Sequence, residues 1–132
     1  MSAITPNAAA FRELAASKDE GPVVMLNLLK FKARADSGDV SGRESYNRYS
    51  RDVKPMVEAL GGRIIWHGRA EQLLIGDESQ EWDAVALVEY PSRKAFIEMA
   101  TSKQMGNIHH NREAGLDRTV LIACRELGGG EV

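Results

Sequence analysis

Val23-Val24-Met25-Leu26-Asn27-Leu28-Leu29-Lys30-Phe31 is the stretch whose reading decides the fold. Its apolar residues fall on both parities. Val23, Met25, Leu29 and Phe31 occupy one side of an extended chain, and Val24, Leu26 and Leu28 the other. A strand facing water on one side alternates polar and apolar residues; a run apolar on both sides fits a central strand covered on both faces. Trp82 to Tyr90 repeats the pattern, with Ala84, Ala86 and Val88 against Val85 and Leu87.

The segments between these two runs complete an alternating order. Thr5-Pro6 reads as an N-cap followed by proline in the first helical position, and Ala8, Phe11, Leu14 and Ala15 then recur at helical spacing to about Ser17. Ala33 to Gly42 is polar and glycine-containing, a loop. Tyr46, Tyr49, Val53, Met56, Val57 and Leu60 follow a 3.6-residue period, predicting a helix from about Arg43 to Leu60 that Pro55 should kink and Gly61-Gly62 should end. Arg63 to Ile75 has the mixed polarity of an edge strand, and Gly76 to Glu81 is a hairpin loop. Ser92 caps a helix carrying Ala95, Phe96, Met99 and Ala100. Gln104 to Gly115 is less regular, Thr119 to Arg125 is the last strand, and residues 127–132 are a frayed tail.

After an N-terminal helix and linker over residues 1–20, the order is therefore β-α-β-β-α-β. This predicts a single α+β domain over residues 1–132: a ferredoxin-like, four-stranded antiparallel sheet with its helices on one face. The first and third strands are central in that topology. Helices can cover only one side of them, so the other side is left as a continuous apolar patch. Burying apolar surface is favourable by about 25 cal/mol per Å², and a patch of that size favours covering by a second copy related by two-fold symmetry. A homodimer is expected. The other possible cover is the N-terminal helix folded across the open face.

Composition narrows the function. The 132 residues are 43% hydrophobic and 27% charged with a formal net charge of −2, which provides no general attraction for nucleic acid or an anionic membrane. Arg43, Arg48, Arg51 and Lys54 are interrupted by Glu44, Asp52 and Glu58, the pattern of a solvated helix face. The single cysteine, Cys124, lies in an apolar run and reads as a buried inert thiol. Met1 to Ala10 shows no basic leader followed by an apolar core, and the expectation is a cytoplasmic protein. No phosphate-binding loop, dinucleotide fingerprint or nucleophile elbow is present.

The stretches Val24 to Phe31, Gly61-Gly62-Arg63, Trp82-Asp83, Tyr90-Pro91-Ser92-Arg93 and Arg112-Glu113-Ala114-Gly115-Leu116 together resemble the uncharacterised family called domain of unknown function 1330 (DUF1330). The resemblance runs over nearly the whole chain. It implies the dimeric α+β barrel superfamily, in which two ferredoxin-like units pack sheet to sheet. Relatives there include cofactor-independent monooxygenases, muconolactone isomerase-like proteins and haem-handling proteins. For this family it implies no established activity.

The polar residues that could carry chemistry are few. Asn27, inside the most apolar strand, must find hydrogen-bond partners, either in backbone or a tyrosine, or as an amide orienting a ligand. Tyr46 and Tyr49 lie one turn apart on the core stripe, with Tyr49 the candidate ligand contact. His67, between Trp66 and Gly68, is either a surface residue or a base near neutral pH. Asp83 either ends the hairpin or orients His67 from the neighbouring strand. Arg93, in a first helical turn where the macrodipole disfavours a cation, is retained for an anionic ligand or a salt bridge. His109 and Glu113 are spaced i,i+4, but two ligands are not a metal site and no HExxH pattern occurs, so an exposed polar helix end is expected, with Arg112 capping or pairing locally. No cofactor or metal is expected; haem handling through a histidine rests on superfamily analogy alone. Two classes of function remain. One is a cofactor-independent enzyme using His67 and Asp83 as catalytic residues, and Asn27, Tyr49 and Arg93 as ligand contacts, in a pocket between sheet and helices. The other is a non-catalytic ligand-binding or interaction module whose functional unit is the homodimer.

Overall fold

The computed structural model describes residues 4–132, so the first three residues of the N-terminal lead-in, and of the stretch read for a leader, lie outside the described residues. The elements are α1 (Ala8–Ala16), β1 (Val23–Phe31), α2 (Gly42–Ala59), β2 (Arg63–Arg69), β3 (Ala84–Tyr90), α3 (Arg93–Ala100), α4 (Lys103–Gly115) and β4 (Leu116–Cys124), with a short 3-10 turn at Glu78–Gln80. The four strands form one antiparallel sheet in the order β2-β3-β1-β4. β1 and β3 are central and β2 is an edge, as the two-sided apolar pattern requires. This is the ferredoxin-like α+β arrangement.

Register sorts the side chains onto two faces. Val23 pairs with Tyr90, Met25 with Val88, Asn27 with Ala86 and Leu29 with Ala84, so these residues share the face beneath the helices. Val23, Met25, Val57, Tyr90, Phe96 and Met99 form the core there, with Phe11 and Leu14 of α1 packed against it. Helix α1 thus sits beside α3 on the helical side and does not cross the open face. That open face carries Val24, Leu26 and Leu28 of β1, Val85 and Leu87 of β3, and Val120 and Ile122 of β4.

Several boundaries differ from the sequence reading. The cap of α1 is Asn7, whose carboxamide oxygen accepts from the Ala10 N–H at 3.0 Å, so the helix starts two residues beyond Pro6. β2 stops at Arg69 and does not reach Ile75. β3 begins only at Ala84, so nothing pairs with residues beyond Ala70, and Leu74 and Ile75 are left almost fully exposed. The stretch from Gln104 is not irregular. Ser102 caps a continuous α4, and the exposed Gly106 is absorbed within it. β4 starts at Leu116, directly after the helix, with a bulge opposite Lys30 and Phe31. Pro55 lies inside α2, as expected, and Arg51, whose carbonyl can receive no N–H from it, is exposed. Cys124 is not buried. It lies opposite Val24 at the margin of the uncovered face.

One close approach fixes the helical layer above the sheet. A Cβ on Gly42 would lie 2.2 Å from the Lys32 carbonyl oxygen, and one on Gly115 would lie 2.4 Å from the Gly42 carbonyl oxygen. Only glycine lets the start of α2 and the end of α4 meet the β1–α2 loop this tightly. The Gly42 N–H donates to Lys32 O (3.0 Å), the Lys32 N–H to Gly115 O (2.9 Å), and the buried Ser45 hydroxyl to Asn111 O (2.8 Å). These contacts bring α4 against α2 and set the geometry of the space beneath both.

Candidate functional cavity

The layer between helices and sheet is packed at one end and hollow at the other. At the packed end, Tyr90 and Phe96 meet edge to face, with centroids 5.1 Å apart at 84°, and the Tyr90 hydroxyl donates to the Met99 sulfur at 3.7 Å. Burial pushes the Tyr90 phenol well above its ordinary range. At the other end, the floor under α2 is Ala84 and Ala86 of β3, whose single methyl groups do not reach the helices. They line a cavity of about 1110 Å³ that runs the length of the layer: both tyrosines of α2, Asn27, His67 and the α4 residues His109, Arg112 and Glu113 border it here, and it continues as far as Met25, Val88 and Phe96.

Helix α2 supplies the roof. Phe31, Tyr46 and Tyr49 make a chain of tilted rings with successive centroids 5.4 Å apart, and the Arg43 guanidinium lies over the Phe31 ring at 4.9 Å. Burial pushes the Tyr46 phenol well above its ordinary range, with Tyr49 adding to it and Arg112 acting the other way. Burial raises Tyr49 as well, again opposed by Arg112. Both phenols therefore stay protonated, as hydrogen-bond donors, near neutral pH.

Asn27 rises from the floor beside Ala86. Its amide nitrogen donates to Met25 O (3.2 Å) and to Ala86 O (3.4 Å), the backbone contact that a buried amide needs. This anchoring fixes the side chain and leaves its carbonyl oxygen as the group free to accept. Helix α4 adds a polar wall. His109 Nδ1 and Glu113 Oε1 are 2.9 Å apart, a half-exposed i,i+4 pair, and Arg112 donates to the Ile4 carbonyl.

Of the five residues singled out in the sequence, Asn27, Tyr49 and His67 line this cavity, and Asp83 and Arg93 do not. His67 is exposed at the rim on the β2 edge, without an ion-pair or side-chain hydrogen-bond partner among the described residues. Asp83 does not orient it. Its carboxylate accepts from the Phe31 N–H (2.8 Å) and pairs with Lys30 (3.3 Å), tying the end of β1 to the start of β3. Arg93 lies 3.3 Å from Asp19 in the α1–β1 link, which Arg125 also approaches. The Gly21 N–H first, and these two guanidiniums after it, hold the Asp19 carboxyl below the usual range. Of the two alternatives for Arg93, the salt bridge is the one formed. His109, Arg112 and Glu113, read from sequence as a solvated helix end, face the cavity; their i, i+3, i+4 spacing, which puts all three on one helical stripe, was the available signal. Among the described residues, no three His, Cys, Asp or Glu side chains come together as a metal would require, and no helix is long and apolar enough to cross a membrane.

Fold and cavity define a ferredoxin-like α+β protein with a partly polar chamber between its layers. The chain belongs to the family described as domain of unknown function DUF1330, whose model matches residues 35–124. It is similar to a protein of unknown function from Rhodopseudomonas palustris, at 36% identity over 98% of this chain and 100% of that one, with a TM-score of 0.90. The fold alone extends further. A dabb family protein with a ferredoxin-like fold from Mesorhizobium loti matches at 14% identity over 82% of this chain and 99% of that one, TM-score 0.54. A protein from Arabidopsis thaliana matches at 14% identity over 83% and 99%, TM-score 0.56. No curated protein sequence matches this chain.

Proposed function

We propose that this protein binds a small organic molecule in the cavity between α2, α4 and the sheet. The observation that carries the reading is the cavity itself: about 1110 Å³ of space with an alanine floor, aromatic roof and a few fixed polar groups. Ligand sites are typically concave, mostly apolar and of several hundred Å³, with a small number of placed polar groups. Binding is favoured over catalysis because the one pairing expected to make His67 a base is missing: Asp83 is engaged with Phe31 and Lys30. The test is a titration with the neutral fluorophore N-phenyl-1-naphthylamine. Wild type should bind it with saturable fluorescence gain, and A86F, which fills the floor, should weaken binding at least about tenfold, corresponding to the loss of ~1.4 kcal/mol. Equal binding by the two proteins places the probe elsewhere and rejects the reading.

A second reading concerns the assembly: two copies pair through their open sheet faces. What supports it is the uncovered apolar surface, on which Trp66 and Ile122 are 54% and 46% exposed, together with the position of α1 on the opposite side. Light scattering on wild type and L87D tests this. A dimer that L87D splits is the expected result, and a monomeric wild type rejects it.

A further inference from the structure

Three side chains on the cavity wall carry hydrogen-bond donors without acceptors among the described residues. Arg112 has five N–H groups. Its one side-chain bond goes to the Ile4 carbonyl, and among the described residues it has no carboxylate partner. The neighbouring Glu113 does not supply one, since it is turned to His109 at 2.9 Å. The Tyr46 and Tyr49 hydroxyls also have no hydrogen-bond partner among the described residues, and both side chains line the same cavity as Arg112. The guanidinium is close enough to act on both phenols electrostatically. A position at the end of α4 gives Arg112 a favourable interaction with the helix dipole, but that does not account for a guanidinium and two phenols on the wall of one cavity.

We infer that the ligand carries a carboxylate, held by the Arg112 guanidinium together with the Tyr46 and Tyr49 hydroxyls, with its apolar body over Ala84 and Ala86. The inference rests on the cavity being a ligand site, as proposed above. The guanidinium fork matches a planar, singly charged carboxylate in a two-point contact. A dianion such as a phosphate monoester fits less well. The carbonyl end of α4 and the Glu113 carboxylate lie beside Arg112, and a second negative charge would be held against both.

The test compares 2-naphthoate with its neutral isostere 2-naphthamide by calorimetry on wild type, R112Q and Y49F. Wild type should bind the acid about tenfold or more tightly than the amide, since hydrogen bonds to a charged group are stronger than those to a neutral one. R112Q should bring the two probes to equal affinity. Y49F, which removes a hydroxyl that has no partner to lose, should reduce the acid's advantage severalfold without altering the melting temperature, so the inference stays testable if R112Q folds poorly. Equal affinities in wild type, or an advantage that both variants keep, overturns the carboxylate inference while leaving the cavity as a ligand site. Failure of both probes to bind wild type overturns both.

Discussion

The two ends of the helix–sheet layer are built from the same strands and differ in what those strands carry. At one end of β3, Val88 and Tyr90 face the helices and meet Met25, Phe96 and Met99 in a close-packed core. At the other end of the same strand, Ala84 and Ala86 face the helices and line a chamber that continues as far as Val88 and Phe96. Along one face of this single strand the side chains pass from alanines beside open space to larger residues that also close the core. The difference lies in side-chain volume and polarity, not in backbone: the register between β1 and β3 runs without a break from Val23–Tyr90 to Leu29–Ala84. The lesson is that one regular sheet can divide stability from recognition simply by where it places alanine and asparagine among larger apolar residues.

Substitutions at the two ends should therefore behave differently. The largest effect belongs to the packed end. F96A should lower unfolding free energy by ~3–5 kcal/mol, measured by urea denaturation, because a buried ring leaves a cavity that its neighbours cannot close. Next is the contact that seats α2 against α4, just beyond the Leu29–Ala84 pair. G42A places a methyl against the Lys32 carbonyl, and should cost ~1–3 kcal/mol by the same measurement as the α2–α4 contact is forced apart. At the hollow end, A86F should change stability by less than ~1 kcal/mol while weakening the neutral fluorophore, the reverse of the F96A pattern. If A86F proves as costly as F96A, the hollow end is as tightly packed as the other and the comparison collapses. The smallest effect joins both ends. Tyr46, Tyr49 and Tyr90 all have phenols raised by burial, so the folded chain holds their protons more tightly than the unfolded one. Their contribution to stability is complete below the ordinary phenol pKa of about 10 and declines as pH rises beyond it. Thermal melts should show a falling midpoint above that pH, and Y49F should make the fall shallower.

The fold was legible because its signals are local and redundant. Two-sided apolar runs identified β1 and β3 as central, and Ser92 marked the start of α3 with its hydroxyl accepting from the Ala95 N–H at 3.1 Å. What misled was sequence whose apolar content does no burying. Leu73, Leu74 and Ile75 extended the apparent β2 strand, yet the strand ends where its antiparallel partner β3 begins. The site was less legible, for a different reason. Asn27, Tyr49 and His67 reach one cavity because β1, α2 and β2 come together in three dimensions, and Arg112 joins them because Gly42 and Gly115 allow α4 to lie against α2. Apart from the helical stripe that groups His109, Arg112 and Glu113, none of this is written in spacing along the chain. Asp83 and Arg93 stood out by type alone, and their partners, a backbone N–H with Lys30 and the carboxylate of Asp19, are equally invisible until the loops are placed.

The central claim is that the hollow end receives the ligand. Amide and methyl chemical shifts of isotopically labelled protein, followed while N-phenyl-1-naphthylamine is added, test it most directly. The account predicts saturable shifts at Asn27, Tyr49, Ala84 and Ala86, with Val23 in the packed core and Leu26 and Ile122 on the open face little changed. Shifts concentrated at Trp66, Leu87 and Ile122, with the alanine floor silent, would contradict it.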